Sequence, residues 1–163
     1  IVALFVAGLV IAGLHEGGQM KLVKEGEPAP VFDLEKYQGG RARLSDYGGK
    51  LVVLDFWGTW CGPCREEMPY LVKVAKEYEK KGVVFVAAAD DASSREDITE
   101  FAAKVPGLEN YAAFSTDALA HAYKVEAFPT MYFIAPDGKV ILGHRALVSE
   151  SWFRDTIEEH LPK

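Results

Sequence analysis

The two cysteines of this 163-residue chain lie three positions apart, at Cys61 and Cys64. Two thiols at this spacing can form and break a disulfide, because one thiolate attacks a substrate disulfide and the other releases the product. The same spacing also occurs as half of a zinc site, which needs two more ligands. The chain has no other cysteine, and its four histidines show no paired spacing. The sequence therefore favours redox chemistry, with no metal and no cofactor expected.

A buried strand and a helix are expected to position this pair. The nearly continuous apolar run Leu51–Trp57 is typical of a central strand buried on both faces. Apolar side chains recur at helical spacing after Cys61, which places Cys61 at an exposed helix start. Free backbone N–H groups and the helix dipole there stabilise a thiolate, so Cys61 is the predicted nucleophile and Cys64 the shielded resolving thiol. Pro63 suits a first helical turn, where its missing N–H would have no partner.

The rest of the chain alternates strands with helices at a length usual for a single domain. The other predicted elements are strands at 28–34 and 41–44 around Gly39-Gly40, a buried strand at Val83–Ala89, a helix from Ser93 to Val105 with a Ser93–Glu96 capping box, a short helix at 117–123, a hairpin of 130–135 and 139–143, and a last helix capped by Ser149. This order predicts an α/β fold with a central mixed sheet flanked by helices on both faces.

Charge and composition exclude one large class of partners. The formal net charge is −6, with 49% hydrophobic and 26% charged residues, as in an ordinary soluble globular protein. Proteins that follow nucleic acid phosphates need clustered lysines and arginines. We therefore expect no nucleic acid partner.

The N-terminal residues predict an attachment to a membrane. Residues 1–14 are an uninterrupted run of apolar residues and glycine. Fourteen residues are too few to cross a bilayer, which takes about 20 in a helix. Because the chain begins with isoleucine rather than methionine, we expect residues 1–19 to be the remnant of a signal peptide or membrane anchor plus a tether. The alternative is a strand or helix that packs on the domain at 20–163.

The residues around the cysteines carry a family resemblance. The stretch Asp55–Pro69, DFWGTWCGPCREEMP, resembles the thioredoxin superfamily, and within it the membrane-tethered bacterial branch of TlpA/ResA-like proteins. Further matches are Pro28-Ala29-Pro30, Leu44-Ser45-Asp46 and Phe128-Pro129-Thr130, so that the resemblance spans about residues 27–161. It implies a thioredoxin-like fold with an N-terminal β-hairpin and a helical insertion at 95–105. The Gly-Pro dipeptide between the cysteines is that of thioredoxin itself and favours a reductant.

The resemblance implies roles for two carboxyl groups beside the catalytic pair Cys61 and Cys64. Asp55 occupies the position of a buried acid that accepts a proton from the resolving cysteine in thioredoxins. A charge in a buried strand is unfavourable, so a raised pKa is expected, although a partly exposed strand-end aspartate is the alternative. Glu67 matches an acidic residue near the active site of the ResA-like branch, with a solvated helix residue as its alternative. The lysine that accompanies the buried acid in thioredoxin is missing from Val83–Ala89.

A second set of residues is expected to bind the substrate. Pro129 matches the cis-proline that faces the cysteine pair and positions a substrate backbone, whereas most X–Pro bonds are trans. Trp60 is expected to shape the surface around Cys61. The full set implied by the resemblance is Trp60, Gly62, Pro63, Phe128 and Pro129.

Two other functions fit parts of the pattern. A peroxiredoxin-like peroxide reductase needs a proline and a threonine or serine at set spacing before its cysteine, which Thr59 and Trp60 do not supply. A copper-delivery protein on the same scaffold would use the thiolates and a distal histidine, with His121 and His144 as the candidates. The copper-delivery branch, however, spaces its cysteines with three residues between them.

The resemblance also implies a cellular setting. It predicts a reductase of protein disulfides in the bacterial cell envelope or periplasm, held to the membrane by the N-terminal segment. The substrates would be oxidised envelope proteins, with apocytochrome c among the candidates. Electrons would come from a membrane donor of the CcdA/DsbD type.

Overall fold

A computed structural model describes residues 21–163, which form a mixed seven-stranded sheet. The strands are β1 (Asp33–Lys36), β2 (Arg41–Arg43), β3 (Leu51–Trp57), β4 (Val83–Ala89), β5 (Ala112–Phe114), β6 (Thr130–Ile134) and β7 (Val140–His144). Their order across the sheet is β2-β1-β5-β4-β3-β6-β7. The neighbours β3, β4 and β5 are parallel, and the other pairs are antiparallel. The predicted α/β class and the N-terminal hairpin of β1 and β2 are confirmed.

Helices cover both faces of this sheet. In the described residues they are α1 (Gly62–Tyr78), α2 (Arg95–Ala102), α3 (Asp117–Ala122) and α4 (Glu150–Glu159), with short 3₁₀ helices at Leu44–Tyr47, Glu79–Lys81 and Leu108–Asn110. Gly82, with a positive φ of 83°, ends the turn that follows α1. None of the helices within residues 21–163 is long and apolar enough to span a membrane.

The alternation of β3 decides which side chains meet the active-site helix. Successive side chains of a strand point to opposite faces of the sheet. Val53 and Trp57 belong to one apolar cluster with residues of α1, α2 and α4, whereas Leu54 and Phe56 belong to the cluster on the α3 side. By the same alternation, Asp55 lies on the α1 face.

The chain before β1 is packed on the domain. Val23 is buried, and its backbone N–H donates to the Tyr132 hydroxyl at 3.3 Å. The Gly26 N–H donates to the Val140 carbonyl at 2.8 Å, and the Val140 N–H donates to Glu27 at 2.9 Å. The packed structure therefore extends back at least to Val23. The predicted anchor and tether at 1–19 lie outside the described residues.

Several sequence predictions differ from the structure. The first strand lies at Asp33–Lys36 rather than at 28–34, where it pairs with β2 and β5. The capping box at the start of α2 is formed by Ser94 and Asp97, so the predicted Ser93–Glu96 pair is wrong. Ser93 is instead buried, with its hydroxyl bonded to residues around the active site. The helix is also shorter than predicted, at 95–102 rather than 93–105. Strand β5 was not predicted, because three residues are too few to show a strand pattern in the sequence. The strand is defined by its pairing with β4.

Candidate active site

Cys61 and Cys64 form a disulfide at the first turn of α1. Their sulfurs are 2.11 Å apart and their Cα atoms 5.3 Å apart. Cys61 is the residue that caps the helix, and its Sγ accepts a hydrogen bond from the Cys64 N–H at 3.3 Å. Gly62 and Pro63 complete this turn and are exposed. The Sγ atom of Cys61 therefore lies against the helix N-terminus, where N–H groups favour a negative charge.

Cys61 is more exposed than Cys64, as predicted, but both cysteines are buried. Cys61 keeps 4% of its surface exposed, and Cys64 keeps none. Cys61 is therefore less exposed than predicted, although Gly62 and Pro63 beside it at the helix start are exposed. Cys61 is the sulfur that a substrate can reach, and Cys64 is shielded by the first turn of α1.

Asp55 is a fully buried carboxyl group on β3. In the sheet register it pairs with Ala87 of β4 and Met131 of β6. Neither of its carboxyl oxygens has a hydrogen-bond partner among residues 21–163. Burial raises its pKa well above the ordinary value, and the negative charge of Glu67 raises that pKa further. The neighbour of Asp55 on β4 is Ala87, and β4 contains no lysine whose positive charge could stabilise the Asp55 carboxylate.

Glu67 is the second buried carboxyl group, one turn after Cys64. Only 1% of its surface is exposed, so the alternative of a solvated helix residue is wrong. Its Oε2 accepts a hydrogen bond from the Val148 N–H at 3.0 Å, while Oε1 has no partner in the described part of the chain. Burial raises the pKa of Glu67 to about 7, although the bond from Val148 favours the ionised form.

Trp60 is exposed and yet held in one orientation. Its side chain is 58% exposed, and its Nε1 donates to Asp90 Oδ2 at 2.8 Å. The indole and the Phe128 ring pack nearly perpendicular to each other, with centroids 5.6 Å apart at 82°. A Cβ at Gly58 would lie 2.7 Å from the indole Nε1, so glycine leaves the space that the indole occupies. The aromatic surface beside Cys61 is thus fixed before any substrate arrives.

A hydrogen-bond network around Asp90 joins the active-site loop to the start of α2. The Ser93 hydroxyl donates to Asp90 Oδ1 at 2.6 Å and accepts from the Thr59 N–H at 2.9 Å. Sequence reasoning did not identify Asp90 or Ser93 as site residues. The available signal was that Asp90 directly follows β4, a parallel neighbour of the strand before Cys61, because parallel strands bring their carboxyl ends to one edge.

Phe128 and Pro129 lie at the same end of the sheet as the disulfide. The Phe128–Pro129 peptide bond is cis, as the resemblance implied. Thr130 pairs with Phe56 in the register of β6 on β3, which places the buried Pro129 beside the end of β3 that leads to Cys61. The predicted binding residues Trp60, Gly62, Pro63, Phe128 and Pro129 therefore share one end of the sheet.

The two histidines of the copper alternative lie on different elements. His144, in β7, stacks on Trp152 with ring centroids 4.8 Å apart, and burial lowers its pKa. His121 is exposed on α3. Within residues 21–163, no group of three or more His, Cys, Asp or Glu side chains could hold a metal ion.

Comparison with known proteins identifies the family. The model of the AhpC/TSA family matches residues 26–142, which is most of the chain. The chain belongs to the AhpC/TSA family. The thiol–disulfide oxidoreductase ResA of Bacillus subtilis is 38% identical over 134 residues, covering 82% of this chain and 74% of the relative. The ResA of Bacillus cereus is 32% identical, covering all of this chain and 92% of the relative.

A solved structure agrees with this family. A Chlorobium tepidum protein assigned as the thiol:disulfide interchange protein DsbE superposes with a TM-score of 0.72 at 34% identity. The match covers 85% of this chain and 95% of that chain. Together with the Cys61–Cys64 disulfide, these relatives establish a thioredoxin-like thiol–disulfide oxidoreductase. Such an enzyme acts on oxidised proteins and exchanges electrons with redox partners.

Proposed function

We propose that this chain reduces disulfides of proteins in the bacterial cell envelope through a Cys61–Cys64 dithiol/disulfide cycle. The observation that supports this most is the placement of the pair at the start of α1, with one buried carboxyl group, Asp55, on the strand beneath and another, Glu67, in the helix itself. The helix start favours a thiolate on Cys61. The buried acids can hold the proton that Cys64 must lose.

The cycle proceeds in two exchanges. The Cys61 thiolate attacks one sulfur of a substrate disulfide, which forms a mixed disulfide and releases the other substrate sulfur as a thiolate. Cys64 then loses its proton and attacks the Cys61 sulfur, so that the mixed disulfide breaks and the second substrate thiol leaves. Two electrons pass from the cysteine pair to the substrate, and the Cys61–Cys64 disulfide of the structure is the product state.

Asp55 and Glu67 would serve the second exchange. Cys64 is fully buried, so its proton has no direct route to water. Both carboxyl groups have raised pKa values, and each has at least one oxygen without a hydrogen-bond partner among residues 21–163. A carboxylate in such a place gains a proton readily and is suited to general base catalysis near neutral pH. We assign Asp55 and Glu67 as the acids that receive and return the Cys64 proton.

The substrate would lie across the end of the sheet that carries the disulfide. In this proposal, Trp60 and Phe128 offer an aromatic surface, and Pro129 offers its backbone beside Cys61. Gly62 and Pro63 are exposed between the two cysteines, so they leave the approach to the Cys61 sulfur unobstructed.

The setting follows from the family and from the N-terminal sequence. We propose that residues 1–19 hold a domain of residues 20–163 at the outer face of the bacterial membrane, in the envelope or periplasm. Apocytochrome c is the candidate substrate, and a membrane protein of the CcdA/DsbD type is the candidate electron donor. The relatives named thiol–disulfide oxidoreductase ResA support the redox role of the chain in this setting.

A trapping experiment tests the proposed function. The Cys64→Ala variant lacks the resolving thiol and should accumulate a mixed disulfide between Cys61 and an oxidised protein substrate. The matched Cys61→Ala variant keeps only the shielded thiol and should accumulate none. Non-reducing electrophoresis with mass spectrometry reads both results. Equal trapping by the two variants, or trapping by neither, would overturn the assigned order of attack.

A further inference from the structure

A recess lies next to the active-site surface, on the α3 side of the sheet. Its volume is about 280 Å³, and its apolar wall includes Phe56, Val125 and Phe128. Sites for small-molecule cofactors usually enclose about 300–1,000 Å³. This recess is therefore at the lower limit for a cofactor and large enough for one long side chain.

The charged lining of the recess is predominantly acidic. Asp90 and Asp91 follow β4, and Asp117 begins α3, so that three aspartates line one cavity. Its lining contains neither lysine nor arginine, and its one basic side chain is His121. The Asp90 carboxylate accepts hydrogen bonds from Trp60 and Ser93. The side chains of Asp91 and Asp117 form no ion pair within residues 21–163. A cavity with apolar walls and acidic groups complements a side chain with an alkyl stem and a cationic end.

The recess is continuous with the surface on which a substrate would lie. Phe128 is shared, since its ring lines the recess and also contacts the exposed Trp60 beside Cys61. Asp90 is shared in the same way, because it lines the recess and accepts the Trp60 N–H. A polypeptide that presents a disulfide to Cys61 therefore has the recess within reach of a neighbouring side chain.

We propose that this recess binds a lysine or arginine side chain of the substrate polypeptide, close in sequence to the cysteine that Cys61 attacks. The alkyl stem packs on Phe56, Val125 and Phe128, and the cationic end meets the carboxylates of Asp91 and Asp117. This inference rests on the proposed function and adds a specificity determinant to it. The enzyme thus prefers disulfides with a basic flanking residue over those with a neutral or acidic one.

Reduction rates of matched peptides test this preference. The substrates are oxidised peptides with one disulfide that differ only in having lysine, glutamine or glutamate beside the cysteines. With the reduced full chain at low ionic strength, lysine should raise the second-order rate constant about fivefold over glutamine, as a partly exposed ion pair allows. Glutamate should lower it. Equal rates for the three peptides would overturn the inference.

Two double variants separate local binding from net charge. Asp91→Asn with Asp117→Asn should abolish the lysine preference and leave the rate for the glutamine peptide unchanged. Asp155→Asn with Glu159→Gln changes the net charge equally at exposed positions of α4 and should keep the preference. Equal loss in both variants would overturn the recess as its source. Failure to reduce even the glutamine peptide would instead contradict the proposed function.

Discussion

The Glu67 carboxylate accepts a hydrogen bond from the Val148 N–H at 3.0 Å, across 81 positions of the sequence. The Tyr70 hydroxyl donates to the carbonyl of the same residue. The backbone N–H and C=O of Val148 are therefore both held by α1, the helix that begins at the disulfide. The charge state of one buried acid is thus coupled to the contact between α1 and the segment that leads into α4.

Glu67 should make the stability of the fold depend on pH. Its pKa is about 7 in the folded chain and 4.5 ordinarily, so the folded state binds the proton more tightly than the unfolded state. The free energy of unfolding should therefore fall as the pH rises from about 4.5 to 7, by about 3 kcal/mol from this group. Asp55, with its raised pKa, adds a change of the same sign.

Urea denaturation across this pH range measures the effect. Glu67→Gln keeps an oxygen for the Val148 N–H and should flatten the pH profile, leaving the part due to Asp55. Glu96→Gln, at an exposed position of α2, is the control and should keep the full slope. Identical profiles for Glu67→Gln and the original chain would show that the pKa of Glu67 is the same in the folded and unfolded states, which contradicts the raised pKa.

Asp55→Asn should slow the second exchange and spare the first. The variant removes one of the two acids assigned to the Cys64 proton, and loss of a general base lowers a rate by about 100-fold or more. Single-turnover kinetics, with the mixed disulfide quenched by acid, should show normal formation and slow resolution. A gain of stability above neutral pH is also expected, because a buried carboxylate without partners is removed. Equal slowing of both steps would point to a general disturbance of the site instead.

Gly58→Ala should displace Trp60. The new Cβ would lie 2.7 Å from Nε1 and 2.8 Å from Cε2 of the indole, and 3.1 Å from Asp90 Oδ1. Overpacking of this kind costs about 1–3 kcal/mol. The NMR signal of the Trp60 indole N–H should move as its bond to Asp90 breaks. Gly48→Ala, where nothing lies within 4 Å of the new Cβ, is the control. Matching stabilities with an unmoved Trp60 signal would contradict the packing described.

The neighbouring serines 93 and 94 should respond differently to alanine. Ser93→Ala leaves the Thr59 N–H without its partner in a buried place, at a cost of about 1–3 kcal/mol, and loosens Asp90. Ser94→Ala removes the cap of α2, at a cost of about 1 kcal/mol. Chemical denaturation gives both costs. Only Ser93→Ala should also alter the Trp60 fluorescence and the reactivity of Cys61. A change of both readouts in Ser94→Ala would refute this division of roles.

These two serines also show where sequence reasoning reaches its limit. Ser93 with Glu96 and Ser94 with Asp97 both satisfy the pattern of a capping box. The choice between them depends on two residues outside α2, Thr59 and Asp90. Both form hydrogen bonds with the Ser93 hydroxyl, so that Ser94 rather than Ser93 caps the helix. By contrast, β3 and β4 were predicted to the residue, because nearly continuous apolar runs next to glycine or a charged residue define a buried strand locally.

The active site was predictable to a similar extent. The cysteine pair, its helix and the burial of Asp55 follow from the residues that surround them in sequence. The burial of Glu67 does not, since it depends on Val148 and the segment before α4. The role of Asp90 depends on the parallel pairing of β3 with β4, which brings its carboxylate to the Trp60 indole.

The reduction potential of the Cys61–Cys64 pair tests the central claim most directly. The chain is equilibrated with mixtures of reduced and oxidised glutathione or dithiothreitol, and the fraction of disulfide is measured after acid quenching and thiol labelling. A reductase fed by an electron donor should have a potential near that of thioredoxin, about −270 mV. A potential near that of a strong oxidant, about −120 mV, would contradict the account and make the protein a disulfide donor.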